Sequence, residues 1–191
     1  MTKKQRDIFE AAKRLFYKFG VKKVTVEEIC EEANASKMTF YKYFSNKMEL
    51  AKAVIDDFYE SGIEKHEAMM QSDIPVEEKF RKTFELKIEN ALTVEMDFVS
   101  TLFIQADAEL LKHLEQWTKR RIEITKDWFE QMQQNGLVMK ELNFPIFMVY
   151  TESLQNFVMN EETMSFFGTT EKLAGAVSRI FLYGIAENKK Q

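Results

Sequence analysis

Apolar side chains recur along this chain at three- and four-residue intervals, and no stretch alternates convincingly with a period of two. The first stripe, Ile8, Ala11, Ala12, Leu15, Phe16 and Phe19, predicts an amphipathic helix over 3–19 that Gly20 stops. Thr25-Val26-Glu27-Glu28 then reads as a capping box. The Thr25 hydroxyl accepts from the Glu28 amide, and the Glu28 side chain reaches back to the Thr25 amide. Val24 and Ile29 flank the box as a hydrophobic staple, so a second helix is expected from Val26 to about Ala33. Asn34-Ala35 predicts a tight turn, because Asn tolerates left-handed backbone. Ser36 caps a third helix, 37–43, and Ser45 a fourth, about 46–70, in which Gly62 is a candidate bend. Further on, Ser72, Asp73 and Pro75 announce a helix at about 76–92. A short apolar helix is expected at 96–107 and a long one at 109–134, closed by Asn135-Gly136. Asn143 and Pro145 open another at about 144–160, and Thr169 or Thr170 caps the last, about 171–187. The pattern predicts an all-α protein of about nine helices. A three-helix helix-turn-helix head occupies residues 1–50, joined through helix 46–70 to a larger helical body over 51–191.

Composition agrees and narrows the class. The 191 residues include only 2 Pro and 6 Gly, which suits long helices, and 45% hydrophobic with 30% charged residues suits a soluble globular chain. The 17 Phe and 11 Met either fill a helical core or line an adaptable pocket. The net charge of −4 conceals a division. Residues 1–50 carry 11 Lys and Arg against 7 Asp and Glu, or +4, and the remainder carries −8. A basic head on an acidic body implies that only the head meets a polyanion. Cys30 is the single cysteine, so no intrachain disulfide forms. A reducing, cytoplasmic setting is expected, with Cys30 as a small core residue rather than a redox sensor. No signal peptide is expected after Met1, and no apolar run reaches the roughly 18 residues of a membrane span. His66 and His113 lack metal-ligand spacing, and no Ser/His/Asp set, glycine-rich phosphate loop or carboxylate pair stands out. Neither metal, cofactor nor enzymatic activity is expected.

Short helices joined by tight turns, with a capping serine before the third, describe a helix-turn-helix. A helix that enters the major groove end-on must be short, apolar on the face that fixes it, and polar or aromatic on the other. Phe40 and Phe44 supply the first face; Lys37, Thr39, Tyr41, Lys42 and Tyr43 supply the second. Lysines neutralise phosphates, Thr39 is small enough to let base edges approach, and tyrosine hydroxyls bond phosphate oxygens. The run from Thr25 to Leu50, with Ala33-Asn34-Ala35-Ser36, Thr39-Phe40-Tyr41-Lys42-Tyr43-Phe44 and Lys47-Met48-Glu49-Leu50 in its spacing, resembles the signature of the tetracycline-repressor (TetR) family. The resemblance covers about residues 5–55. Three positions depart from it: Cys30 for the usual Ala, Asn34-Ala35 for Gly-Val in the turn, and Met38 for a frequent Gly early in the reading helix.

The resemblance implies roles by position. Thr25 and Lys47 would hold phosphates, and Ser36 would cap the reading helix beside the DNA. Lys37, Met38, Thr39 and Lys42 would face the groove or its edges, and Tyr41 and Tyr43 would touch backbone. It implies a homodimer that reads a palindromic operator in double-stranded DNA, formed through the last two long helices. Leu173, Val177, Ile180, Phe181 and Gly184, with Phe144, Phe147, Met148, Thr151, Leu154 and Val158, are the expected stripes. It also implies a small-molecule effector inside the body, apolar or aromatic given the Phe and Met content. The candidate lining is Phe98, Phe103, Trp117, Trp128, Met132 and Tyr150, with Gln105, His113, Glu152 or Asn156 as polar anchors. The function expected is that of a sequence-specific transcription regulator, a repressor released by its ligand. Two alternatives stay open: an architectural or division-linked DNA-binding protein without a ligand switch, and a helical module that binds protein.

Overall fold

The computed structural model describes residues 1–91, 98, 102, 106–158 and 160–185. Among them are nine helices and no strand. Helix α1 is Lys3–Phe19, α2 Val26–Glu32, α3 Lys37–Tyr43, α4 Lys47–Gln71 and α5 Val76–Ala91. Helix α6 is Ala108–Gln134, α7 Phe144–Val158, α8 Glu161–Phe167 and α9 Thr170–Ile185. The all-helical expectation holds. The helix expected at 96–107 lies almost wholly outside the described residues; Phe98 and Leu102, which are described, are helical and buried. Helix α8 was not foreseen, because seven residues present too little periodicity to signal it. Its start is set by Asn160, whose side-chain oxygen accepts from the amides of Glu162 and Thr163.

The boundaries follow from backbone groups that need partners. Thr2 caps α1 by accepting from the Gln5 amide. Gly20 ends it at φ 80°, returning its amide to the Phe16 carbonyl. Helix α4 is capped by Asn46 rather than by Ser45: the Asn46 side-chain oxygen accepts from the Glu49 amide at 2.9 Å. Gly62 does not interrupt α4, which runs continuously through it. Asp107, Asn143 and Thr169 cap α6, α7 and α9, each accepting from the amide three residues on. Asn135-Gly136 closes α6, with Gly136 at φ 67°.

The chain divides into two units, Met1–Lys65 with Val94–Thr118, and His66–Thr93 with Lys119–Gln191. Each has its own apolar core. In the first, Ile8, Phe16, Ile29, Phe40, Leu50, Val54 and Ile55 are fully buried with Leu110 and Leu114 of α6. In the second, Trp128, Phe129 and Met132 of α6 pack with Phe147 of α7 and Leu173, Val177 and Phe181 of α9. Among the described residues, no helix is long and apolar enough to cross a membrane.

Candidate nucleic-acid interface

A seven-residue helix is too short to be stable by itself, so the orientation of α3 is imposed by what it buries. Phe40 is fully enclosed and Phe44 nearly so, with ring centroids 5.9 Å apart. Burying a side chain of that size contributes about 2–3 kcal/mol. The turn before α3 is set by Asn34 at φ 46°, the one non-glycine residue at positive φ among those described. The Ala35 amide returns to the Cys30 carbonyl at 2.8 Å, and Lys4 clamps the same turn from α1, donating to the Asn34 carbonyl at 2.9 Å. The Cys30 thiol is buried in this packing, and burial pushes its pKa up. That places it with the core residues and away from reactive thiolates.

The opposite face of α3 meets solvent. Lys37, Met38, Tyr41 and Lys42 are exposed, Met38 by 82% and Tyr41 by 56%, while Thr39 and Tyr43 are half-buried. Ser36 caps the helix, accepting from the Thr39 amide at 3.1 Å, and the Ser36 and Thr39 hydroxyls bond one another at 2.9 Å. The Lys37 ammonium forms an ion pair with Glu27 in the first turn of α2. The bond from Lys37 holds the Glu27 carboxyl below the usual carboxylate range, and Glu27 in turn holds Lys37 above its ordinary value. Lys42 lies 5.7 Å from the centre of the Tyr43 ring.

Thr25 and Lys47 have internal partners. The capping box at Thr25 closes in full. The Thr25 amide and hydroxyl both donate to one Glu28 oxygen, at 2.7 and 2.8 Å, and the Glu28 amide donates to the Thr25 hydroxyl oxygen at 3.2 Å. These bonds, the backbone one foremost, hold the Glu28 carboxyl below its ordinary value. A carboxylate therefore occupies the anion-favouring end of α2. Lys47 donates to the carbonyls of Val21 at 2.8 Å and Val24 at 2.6 Å, bracing the start of α4 on the loop between α1 and α2. One of the three ammonium donors is left outside this brace. Neither the Glu27–Lys37 pair nor the Lys47 brace carried a sequence signal, because the partners lie ten or more positions apart and meet only in the fold.

The candidate effector residues fall into both cores. Phe98 and Trp117 belong to the first, where Phe98 lies 4.8 Å from the Tyr17 ring and Trp117 stacks on Tyr59 at 5.2 Å. Trp128, Met132 and the half-buried Tyr150 belong to the second. Phe103 and Gln105 lie outside the described residues. His113 and Trp117 both direct a ring nitrogen to the same oxygen of Asp56, each at 2.6 Å. Glu152 and Asn156 are exposed. Among the described residues, no group of three or more His, Cys, Asp or Glu is arranged to hold a metal.

The stripes expected to join two copies need correction. Leu173, Val177, Phe181, Phe147 and Val158 are buried in their own unit, and Met148, Thr151 and Leu154 are half-buried. The core claims them because α5, α7 and α9 pack together and need an apolar inner face. The apolar residues left exposed are Ile146, Val149 and Phe157 on one face of α7, and Ile180 and Tyr183 on α9. Tyr150 links the two helices, donating to the Ile180 carbonyl at 3.3 Å and stacking on Phe181.

Residues 8–54 match the family model described as bacterial regulatory proteins, tetR family. One relative is the HTH-type transcriptional regulator TtgR of Pseudomonas putida, 43% identical over 54 residues, which is 28% of this chain and 26% of that protein. Another is the uncharacterized HTH-type transcriptional regulator YhgD of Bacillus subtilis (strain 168), 32% identical over 91 residues, 42% of this chain and 48% of that one. The match thus spans about a quarter and about half of these relatives' lengths. Along nearly the whole chain the likeness is one of fold. The fatty acid degradation regulator FadR from Bacillus halodurans superposes with a TM-score of 0.77 at 20% identity, over 96% of this chain and 97% of that chain. FadR from Bacillus subtilis, solved in complex with stearoyl-CoA, gives 0.71 at 21% identity, over 94% and 98%. The curated relatives are transcription regulators, not enzymes. The sequence thus matches the tetR family of bacterial regulatory proteins over the head, residues 8–54, and along nearly its full length the chain shares the fold of such regulators.

Proposed function

We propose that the protein is a transcriptional repressor that binds a palindromic operator as a homodimer in the cytoplasm and leaves it when a small apolar molecule enters the body. The observation that carries this is α3: a short helix fixed by Phe40 and Phe44, with Lys37, Met38, Tyr41 and Lys42 exposed on its other side. That shape and polarity suit end-on entry into a major groove. Tyr41, Tyr43 and Lys42 supply phosphate contacts, which position the helix, and the first turn of α3 faces base edges. The donor that Lys47 leaves outside its brace serves as a further phosphate contact at the flank, whereas both donors of Thr25 are held by Glu28.

Two heads on a two-fold axis read half-sites roughly 34–36 Å apart. The exposed residues of α7 and α9 supply apolar surface for the second copy, and Val149 and Tyr183, 64% and 84% exposed, are the most exposed of them. The effector reading rests on the aromatic and Met side chains of the second core, with Trp128, Met132 and Tyr150 as the residues to test. The stearoyl-CoA in the Bacillus subtilis FadR structure supports a long apolar chain as the ligand class. A ligand that binds better to the arrangement unable to span the operator shifts the population away from DNA.

The test is selection of operator sequences from random duplex DNA by the full chain, repeated across salt. The expected result is an enriched palindrome whose affinity falls steeply with salt, because each phosphate contact releases counterions. Absence of any enriched sequence at low salt refutes the proposal. Addition of a long-chain acyl thioester to the selected complex is expected to release the DNA.

A further inference from the structure

Base reading by a helix that enters the groove end-on falls to its first turn, here Lys37, Met38 and Thr39. Two of the three have polar groups already engaged. The Lys37 ammonium is paired with Glu27, and the Thr39 hydroxyl is bonded to that of Ser36 at 2.9 Å. Met38 is 82% exposed, more than any other large apolar side chain in the head. Covering an apolar side chain so placed removes its surface from water and so favours the complex that covers it. Tyr41 follows one turn later, 56% exposed, and widens the apolar surface. Among the groups that base pairs present in the major groove, the apolar one is the thymine methyl; the others donate or accept hydrogen bonds.

We propose that Met38 is the specificity-determining residue of the head and that it reads thymine, by burying the 5-methyl group of a defined T in each half-site against its side chain. The inference rests on α3 being the DNA-reading helix and goes beyond that reading by naming the base and the chemistry. Glu27 has a part in it. By holding Lys37, it withdraws the side chain that otherwise bonds guanine O6 and N7, and so leaves the first turn to apolar contact.

The experiment replaces each T of the selected operator singly by deoxyuridine, which removes the methyl and leaves every hydrogen-bonding group in place. Binding of the full chain is measured for the wild type, Met38→Ala and Glu27→Gln. Burial of one methyl predicts about a fourfold loss for the wild type at one T per half-site and little elsewhere. Met38→Ala is expected to bind the T and U operators equally at that position while keeping its helical content and its salt slope. Glu27→Gln is expected to admit G at the adjacent position. Indifference of the wild type to every replacement overturns the inference, as does a loss that persists unchanged in Met38→Ala, which assigns the methyl to another side chain. Failure to enrich any operator is a different result, since it removes the DNA-reading role of α3 itself.

Discussion

Three side chains of the head have roles that their types alone did not settle. Thr25 closes a capping box, and Thr25→Ala removes both its acceptor and its donor. A loss of about 1 kcal/mol in urea unfolding is expected. The pH dependence has a definite sign. The folded value for Glu28 lies below its unfolded one of about 4.3, so its contribution is complete above that pH and fades as pH falls through the lowered value. Thr25→Ala is therefore expected to flatten the acid side of the stability profile; an unchanged acid limb would contradict the box. Lys47 braces two carbonyls, and Lys47→Met leaves them without that donor. A fall of about 1–2 kcal/mol in head stability is expected, in low and high salt alike. If stability holds and only DNA affinity drops, the phosphate role outweighs the brace.

Helices α4 and α6 meet along a polar seam within the first unit. Lys52, Asp56 and Tyr59 on α4 face Glu109, His113 and Trp117 on α6, through a 2.5 Å ion pair, two 2.6 Å bonds to Asp56 and a ring stack. The Glu109 and Glu49 carboxylates hold the Lys52 ammonium above its ordinary value, so this tie is kept below the unfolded lysine pKa and lost only as pH rises through the folded one. Asp56→Ala removes the acceptor that His113 and Trp117 share and is expected to cost about 1–3 kcal/mol, with Asp56→Asn milder. Two glycines give a contrast that calorimetry can check. A methyl at Gly62 enters open space, so Gly62→Ala is expected to gain about 0.5–1 kcal/mol. A methyl at Gly184 lands 2.6 Å from the Tyr150 hydroxyl oxygen, so Gly184→Ala is expected to forfeit that gain and displace Tyr150 from the Ile180 carbonyl.

In the proposed function, assembly of two copies brings these parts to DNA. If two copies join through the exposed residues of α7 and α9, Val149→Glu buries a charge at the contact and is expected to give a monomer in sedimentation with helical content unchanged. Operator affinity is expected to fall together with the dimer, since one head reads too little DNA. A Val149→Glu dimer of normal stability would place the contact elsewhere. A substitution at the buried Phe181 is expected to lower stability first, because that residue serves the core of its own unit.

What the sequence by itself determined was local: helix starts that a side-chain oxygen caps, the turn that Asn34 permits, and the apolar side of α3. Capping and periodicity act within four residues, so they are written in adjacent positions. For the same reason the run from Thr25 to Leu50 was legible as a helix-turn-helix before any coordinates. Tertiary structure decided everything that depends on partners far apart in the chain. Helix α9 is apolar on more than one side, and periodicity could not say which side its own core would claim; packing gave Leu173, Val177 and Phe181 to the core and left Ile180 and Tyr183 outside. Lys37 and Lys47 look like free cations in sequence, yet one is held by Glu27 and the other by two carbonyls. The charge that the head leaves free on its surface is thus set by an ion pair and hydrogen bonds that form only when the helices of the head pack together.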